Sequence, residues 1–292
     1  MDRAVQKAAV LIEALPYILE FQGKRVVIKL GGSGMDNEEL IGNVLRDIVF
    51  MRAVGMHPMI VHGGGPFITR AMEESGAKAV FVHGHRVTDE ATLGIVEKVL
   101  LHEVNSFLIK QLNSHKGRAA PVHVLIDPFL LAERKKIIDE ESGEEVDLGF
   151  VGTIKKVETL FIEELCQGGR IPVIAPMAVD ENGQLLNVNA DDAAARIAIA
   201  LGAEKLVFFT NVPGVLLEAD NPDSLISTLH EPEVETFIED GVIDSGMLPK
   251  VRACLAAVHD GVHKAHIVDA EIDHSLLLEI FTEQGIGTQI LK

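Results

Sequence analysis

An α/β fold with a mainly parallel sheet and helices on both faces is what the sequence predicts, on three observations. Short apolar or β-branched runs recur at 26–30, 58–62, 119–126, 171–175, 204–209 and 264–268, with helical patterns between them. Aliphatic side chains must fill the core, because the chain has no Trp, one Tyr and 12 Phe against 47% hydrophobic residues. That composition suits strands buried on both faces. Finally, two early strands run straight into glycines, and ligands of such sheets bind at the carboxyl ends of strands.

Taken in order, residues 4–20 place Val5, Ala8, Leu11, Ile12 and Leu15 at helical spacing, and Pro16 is expected to break or kink that helix. Its apolar face fits packing on its own subunit or on another one. The first strand ends Ile28-Lys29-Leu30-Gly31-Gly32-Ser33-Gly34. Glycines there let backbone N–H groups approach an anion closely. Lys29 adds a full positive charge, and the helical pattern that follows adds a positive dipole end. The layout recurs at Ile60-Val61-His62-Gly63-Gly64-Gly65-Pro66, where Pro66 opens a helix.

A lone Gly-Gly is usually a tight turn. Two corners at strand ends, one beside a lysine, point to one substrate bearing phosphate and another bearing carboxylate. Neither common nucleotide fingerprint is present: there is no G-x-x-x-x-G-K-[ST], and Gly32-x-Gly34 lacks a third glycine.

Gly84-His85-Arg86-Val87-Thr88-Asp89 follows, with Arg86 ahead of a helix capped by Thr88 or Asp89. A guanidinium there fits a two-pronged grip on a carboxylate or an ordinary surface ion pair. Residues 89–112 read as one helix with Leu93, Val96, Leu100, Val104, Phe107 and Leu108 on a single face. The charged stretch 133–156, turning at Ser142-Gly143, reads as a projecting hairpin, and Asp180-Glu181-Asn182-Gly183 as a second hairpin turn. A lobe boundary near 178 lacks any flexible linker, so the lobes should pack tightly.

Asn187, Asn189, Asp191 and Asp192 crowd the entry to an alanine-rich helix over 190–201. One such residue is explained by capping, but four of six favour a polar ligand site. Lys250 sits in the first turn of a helix running to about His259.

The formal charge is −18, from 26 basic and 44 acidic residues. No basic patch for a nucleic acid is apparent, and the few cations can instead concentrate in a cleft. Cys166 and Cys254 lie far apart and form no CxxC. His83/His85 and His259/His263/His266 have metal-like spacing, but Gly261 interrupts the second set and neither set gains a Cys or regular acidic partner. No metal site is expected. No apolar run reaches about 18 residues, and no signal-peptide order opens the chain. The expectation is a soluble cytoplasmic protein with neither membrane nor nucleic-acid partners.

The set VVIKLGGS, IVHGGGP, GHRVTDE, IPVIAP, NVNADDAA, EKLVFFTNVPGVL, SGMLPKV and HSLLLEIFTEQGIGT resembles the amino acid kinase family, and within it the N-acetylglutamate kinases. The motifs span nearly the whole chain in order. The resemblance implies a three-layer αβα sandwich with an interlacing helix (1–20), an acyl-amino-acid lobe (21–177) and a nucleotide lobe (178–292).

It also implies transfer of the ATP γ-phosphoryl group to the side-chain carboxylate of N-acetyl-L-glutamate, with Mg²⁺ carried by the nucleotide phosphates, in arginine synthesis. By similarity, Lys29 and Lys250 flank the transferred group, Gly31 and Gly32 donate N–H groups, and Asp191 orients the lysines. Gly64, Gly65, Arg86, Asn187 and Asn189 hold the acylated amino acid. Asn211, Val212, Pro213, Gly214, Val215 and Leu216, with Val242, Ile243 and Asp244, line the nucleotide site.

The chain's ends resemble the arginine-inhibited members, which implies L-arginine as inhibitor, a homohexamer or homodimer, and an arginine pocket from Tyr17, Lys264, His274, Glu279 and Gly287. Four positions depart from the family pattern. Pro121–Pro128 replaces a glycine-rich segment, Asn211 an aspartate, Ser245 a glycine, and Asp269-Ala270-Glu271 a glycine/arginine turn. The first leaves a longer acid such as N-acetyl-aminoadipate as alternative acceptor. With Asn211, it also leaves a non-catalytic arginine or nucleotide sensor.

Overall fold

The computed structural model describes residues 2–31, 35, 37–138, 143, 145–218, 221–243, 246–282 and 285–292. Along the chain run α1 (Asp2–Phe21), β1 (Arg25–Leu30), α2 (Glu38–Ala53), β2 (His57–His62), α3 (Gly65–Glu74), β3 (Phe81–Val82), β4 (His85–Arg86), α4 (Glu90–Glu97), α5 (Asn105–Ser114) and β5 (Ala119–Val122). Then come β6 (Leu130–Ile138), β7 (Glu145–Val157), α6 (Leu160–Gln167), β8 (Ile171–Ile174), β9 (Met177–Val179), β10 (Leu185–Asn187), α7 (Ala190–Ala200) and β11 (Lys205–Thr210). The chain closes with β12 (Thr228–His230), α8 (Glu231–Glu239), α9 (Leu248–His259), β13 (Lys264–Asp269), α10 (Ser275–Phe281) and β14 (Thr288–Leu291).

Eight strands form one sheet in the order β12-β14-β13-β11-β1-β2-β8-β5, parallel except for the β13–β14 pair. Strands β1, β2, β11 and β13 are almost wholly buried, as the aliphatic runs require. Helices α7 and α9 pack on each other and onto the sheet, while α2 packs with α5 and α10. The halves of the chain meet at the β1–β11 pair, so the sheet is continuous across the expected lobe boundary. Both expected hairpins form, β6–β7 and β9–β10, and together they close a small four-stranded barrel. In the register, Leu30 stands beside His62 and Lys29 beside Phe208. That alignment brings the two glycine corners to the same sheet edge.

Three local expectations need correction. Of the break or kink expected at Pro16, the break does not occur, since α1 runs on to Phe21. A proline inside a helix costs about 3 kcal/mol, but the last turn is anchored: Phe21 is buried and meets Phe281 edge-on at 6.4 Å, and Tyr17 packs on the core. Strand 119–126 stops at Val122, because Ile126 N–H and Asp127 N–H both turn back to the His123 carbonyl. The helix over 89–112 contains a π-helical stretch, Lys98–Val104, between α4 and α5. The apolar spacing Val96, Leu100, Val104, Leu108 steps by four each time, which is wider than the α-helical 3.6.

Lys205, at the start of β11, is buried with its ammonium 4.7 Å from the Phe21 ring centre. Burial, with Lys264 nearby, pulls its pKa down to about 8 against the opposing pull of Glu279, Glu20 and Glu204. The unfolded chain therefore holds this proton more tightly, and folding gains stability as pH rises from about 8 to about 10.4. Lys205→Met should raise the Tm at pH 7 by roughly 2–4 °C. Differential scanning calorimetry from pH 7 to 10 should show the gap to wild type closing with pH; a constant gap would contradict it.

Candidate active site

Lys29 ends a strand buried on both faces, so its ammonium reaches the carboxyl edge of the sheet rather than solvent; the residue is only 7% exposed. The side chain folds back over Gly31, where any Cβ would collide with Nζ. Across the edge, Asn189 caps α7, its Oδ1 accepting from Asp191 N–H at 2.7 Å and Asp192 N–H at 3.1 Å. The cap fixes Asp191 in the first turn, where the helix dipole favours a carboxylate. Asp191 Oδ1 lies 2.8 Å from Lys29 Nζ and Oδ2 lies 3.9 Å from Lys250 Nζ, in the first turn of α9. One buried carboxylate thus holds two ammonium groups that would otherwise repel each other, leaving a net charge of +1.

Beside this bridge opens a cleft of about 270 Å³, lined by Lys29, Gly31, Gly63–Gly65, Arg86, Asn187, Asn189 and Asp191 among others. Its volume sits just under the usual range for small-molecule sites, about 300–1,000 Å³, and so fits a small ligand. Arg86 is buried at the end of the β3–β4 hairpin. Its Nη2 donates to Gly65 O at 3.1 Å and Thr69 Oγ1 at 2.7 Å, its Nη1 to Met72 Sδ at 3.2 Å, and the Phe81 ring lies 4.7 Å away. Burial lowers its pKa, yet an arginine stays charged. The fork is therefore preset, with N–H groups to spare for a bound anion.

Several supports of the cleft were not legible in the sequence. Thr88, fully buried, donates to Arg86 O at 2.8 Å and accepts from Asn187 Nδ2 at 3.2 Å, tying the hairpin to β10. Asp89, not Thr88, caps α4 by accepting from Thr92 N–H at 2.8 Å. Gly149 has φ +71° and packs so tightly on the Thr88 carbonyl that no Cβ fits. Leu100, on the π-helical stretch, sets the tip of its side chain against Gly64. The step of four in apolar spacing is the one signal that could have revealed that last contact.

The remaining sequence-derived positions fall elsewhere. Gly32 and Asp244 lie outside the described residues, as does Ser245. Asn211, Val212, Pro213, Gly214, Val215 and Leu216 form the loop leaving β11, shaped by the bond from Val215 N–H to Thr288 Oγ1 (2.9 Å) and by Gly214 at φ +149°. Val242 and Ile243 follow α8. Among the described residues that line the cleft, Asn211–Leu216, Val242 and Ile243 do not appear. The 121–128 segment does not line it either.

Of the arginine-pocket set, Glu279 and Gly287 meet directly: Glu279 Oε2 accepts from Ile286 N–H (2.7 Å) and Gly287 N–H (3.0 Å). Glu279 Oε1 is 2.6 Å from His266 Nδ1. Burial pushes the Glu279 pKa up, but the His266 bond and the two backbone donors outweigh it and keep it low. Burial likewise lowers His266, so the pair reads as carboxylate with neutral imidazole. Lys264 begins β13, Tyr17 lies in α1, and His274 pairs instead with buried Asp47 at 2.7 Å. Among the described residues no group of three or more His, Cys, Asp or Glu could hold a metal, and no helix is long and apolar enough to cross a membrane.

Chemically, the arrangement offers paired ammonium groups for a transferring anion next to a guanidinium for an acidic acceptor. Residues 24–269 match the model of the amino acid kinase family. The chain is 45% identical over 295 residues to an acetylglutamate kinase of Heliobacterium modesticaldum, covering all of both chains. It is 48% identical over 295 residues to that of Pelotomaculum thermopropionicum, again over both full lengths. Among solved structures, it superposes with a TM-score of 0.85 on N-acetylglutamate synthase from Neisseria gonorrhoeae complexed with coenzyme A and N-acetyl-glutamate. That match is 28% identical and covers 98% of this chain and 63% of the synthase. A second structure of that synthase, with coenzyme A and L-arginine, gives 0.82 at 26% identity, covering 98% of this chain and 65% of the synthase.

Proposed function

Because the chain belongs to the amino acid kinase family and, within it, to the acetylglutamate kinases, we propose that its cleft transfers the γ-phosphoryl group of ATP to the side-chain carboxylate of N-acetyl-L-glutamate. The observation that carries the reading is the Lys29–Asp191–Lys250 bridge abutting a small cleft that holds Arg86 and the second glycine corner. The acceptor is already an ionised carboxylate, so no general base is needed. One of its oxygens forms a bond to the γ-phosphorus as the bond to the bridging β,γ-oxygen breaks, and ADP leaves with that electron pair. Such a transfer depends on positioning and charge neutralisation.

Lys29 and Lys250 would meet the phosphoryl oxygens, with Gly31 and Gly32 supplying N–H groups, while Arg86, Gly64, Gly65, Asn187 and Asn189 hold the acylated amino acid. Asp191 is engaged by both lysines, which fits a Mg²⁺ that would come with the nucleotide phosphates and would neutralise part of their charge. On this reading residues 21–177 form the acceptor lobe and 178–292 the nucleotide lobe, with Asn211–Leu216 and Val242–Asp244 beside the nucleotide.

The 121–128 segment, whose departure from the family pattern raised the longer acid, does not line the cleft. Arginine inhibition rests on the resemblance of the ends and on Glu279, an ionised, buried carboxylate near the carboxyl end of α1 through Lys205 and Phe21. Val5, Ile12, Leu15 and Leu19 of α1 stay exposed, which supports its use between subunits. ADP release from Mg-ATP should occur with N-acetyl-L-glutamate and not with N-acetyl-aminoadipate, and millimolar L-arginine should slow it. Nucleotide binding without turnover on any acceptor would instead favour a sensor.

A further inference from the structure

We propose that His62 and Asn105 are positioning residues that set the acceptor corner from below by fixing the direction of one peptide plane. The inference rests on the kinase reading of the cleft. His62 and Asn105 are 0% and 1% exposed, and neither lines the cleft. His62 Nδ1 lies 2.8 Å from the Gly63 carbonyl oxygen, and its Nε2 lies 3.2 Å from Asn105 Nδ2. Asn105 Nδ2 also donates to Val173 O at 2.9 Å. An amide can only donate from this nitrogen, so His62 Nε2 accepts and Nδ1–H donates to Gly63 O. Complete burial pulls the His62 pKa down to about 4, which keeps this neutral form in place near neutrality.

The consequence lies one bond further on. A trans peptide is planar, with its C=O and N–H pointing opposite ways. Pulling Gly63 C=O down toward buried His62 therefore turns Gly64 N–H up toward the cleft. That N–H has no partner among the described residues. Gly63 is held from its other side as well, since its own N–H donates to Leu30 O at 2.6 Å. The corner thus presents a fixed, unpaired donor to an anion, and it does so without any side chain in the cleft. Asn105 follows the π-helical stretch that also carries Leu100 against Gly64, so one irregular helix turn buttresses the corner at two points.

His62→Leu removes both bonds, whereas His62→Asn can still place an amide N–H against Gly63 O. The expected result is a KM for N-acetyl-L-glutamate raised about 10-fold or more in His62→Leu, the scale of a misdirected hydrogen bond. The KM for ATP should stay within about 3-fold, and His62→Asn should recover part of the loss. Asn105→Leu, which leaves Nε2 unpaired, should shift the same constant in the same direction and serves if His62→Leu does not fold. Unchanged acceptor KM in a folded variant, or equal rises in both KM values, would overturn the proposal. Absence of wild-type turnover would instead count against the kinase reading, and isothermal titration of N-acetyl-L-glutamate then tests the corner by affinity alone.

Discussion

Lys29→Ala and Lys250→Ala should each lower kcat by about 10²–10³-fold or more, the loss that follows removal of one preorganised donor to a transition state. The expectation comes from the shared carboxylate. Asp191 holds Lys29 at 2.8 Å and faces Lys250 as a longer ion pair at 3.9 Å, so both ammonium groups stand at the same carboxylate before substrate arrives. Little reorganisation is then needed when charge builds on the equatorial oxygens. The two variants should differ in stability. Lys29 is buried, so its loss leaves Asp191 partly unpaired in a dry setting, while Lys250 is half-exposed and its loss should be mild. Steady-state kinetics beside thermal melts checks this; near-wild-type kcat in either folded variant would remove the clamp from the mechanism.

The second large effect concerns the acceptor. Arg86→Ala should raise the N-acetyl-L-glutamate KM by roughly 10–100-fold, from the loss of a charge-assisted pair worth about 1.5–3 kcal/mol. Arg86→Lys should restore little. Gly65 O, Thr69 Oγ1, Met72 Sδ and the Phe81 ring hold the guanidinium plane on several sides, and an ammonium satisfies that frame poorly. The ATP KM should move much less if, as proposed, Arg86 grips the acceptor. Equal changes in both constants would indicate that Arg86 acts on the fold of the hairpin rather than on the ligand.

How much of this was legible before folding depended on where the determining contacts lie in sequence. Lys29 and the glycines of both corners sit at the ends of strongly apolar strands, where period and turn chemistry agree, so the sheet edge could be read directly. Asn187 and Asn189 stood out because capping accounts for only one of them, and the structure gives Asn189 the cap while Asn187 reaches Thr88.

What escaped was long-range. Thr88 looks like a helix cap, yet its hydroxyl also bonds the Arg86 carbonyl and Asn187, 99 positions beyond Thr88. Gly149 looked like part of a surface hairpin, but it is small because the Thr88 carbonyl lies against it. The local rule for Pro16 predicts a break, and the burial of Phe21 outweighs it. The π-helical stretch left a trace in the apolar spacing that a 3.6-residue template averages away.

A phosphoryl group should pass from ATP to a carboxylate held between the lysine bridge and Arg86. The most direct test traps the product with hydroxylamine, which converts an acyl phosphate to a hydroxamate. With Mg-ATP and N-acetyl-L-glutamate, the wild-type protein should yield one hydroxamate per ADP released, and the Lys250→Ala protein almost none. ADP without hydroxamate, or equal yields from both proteins, would rule out that transfer.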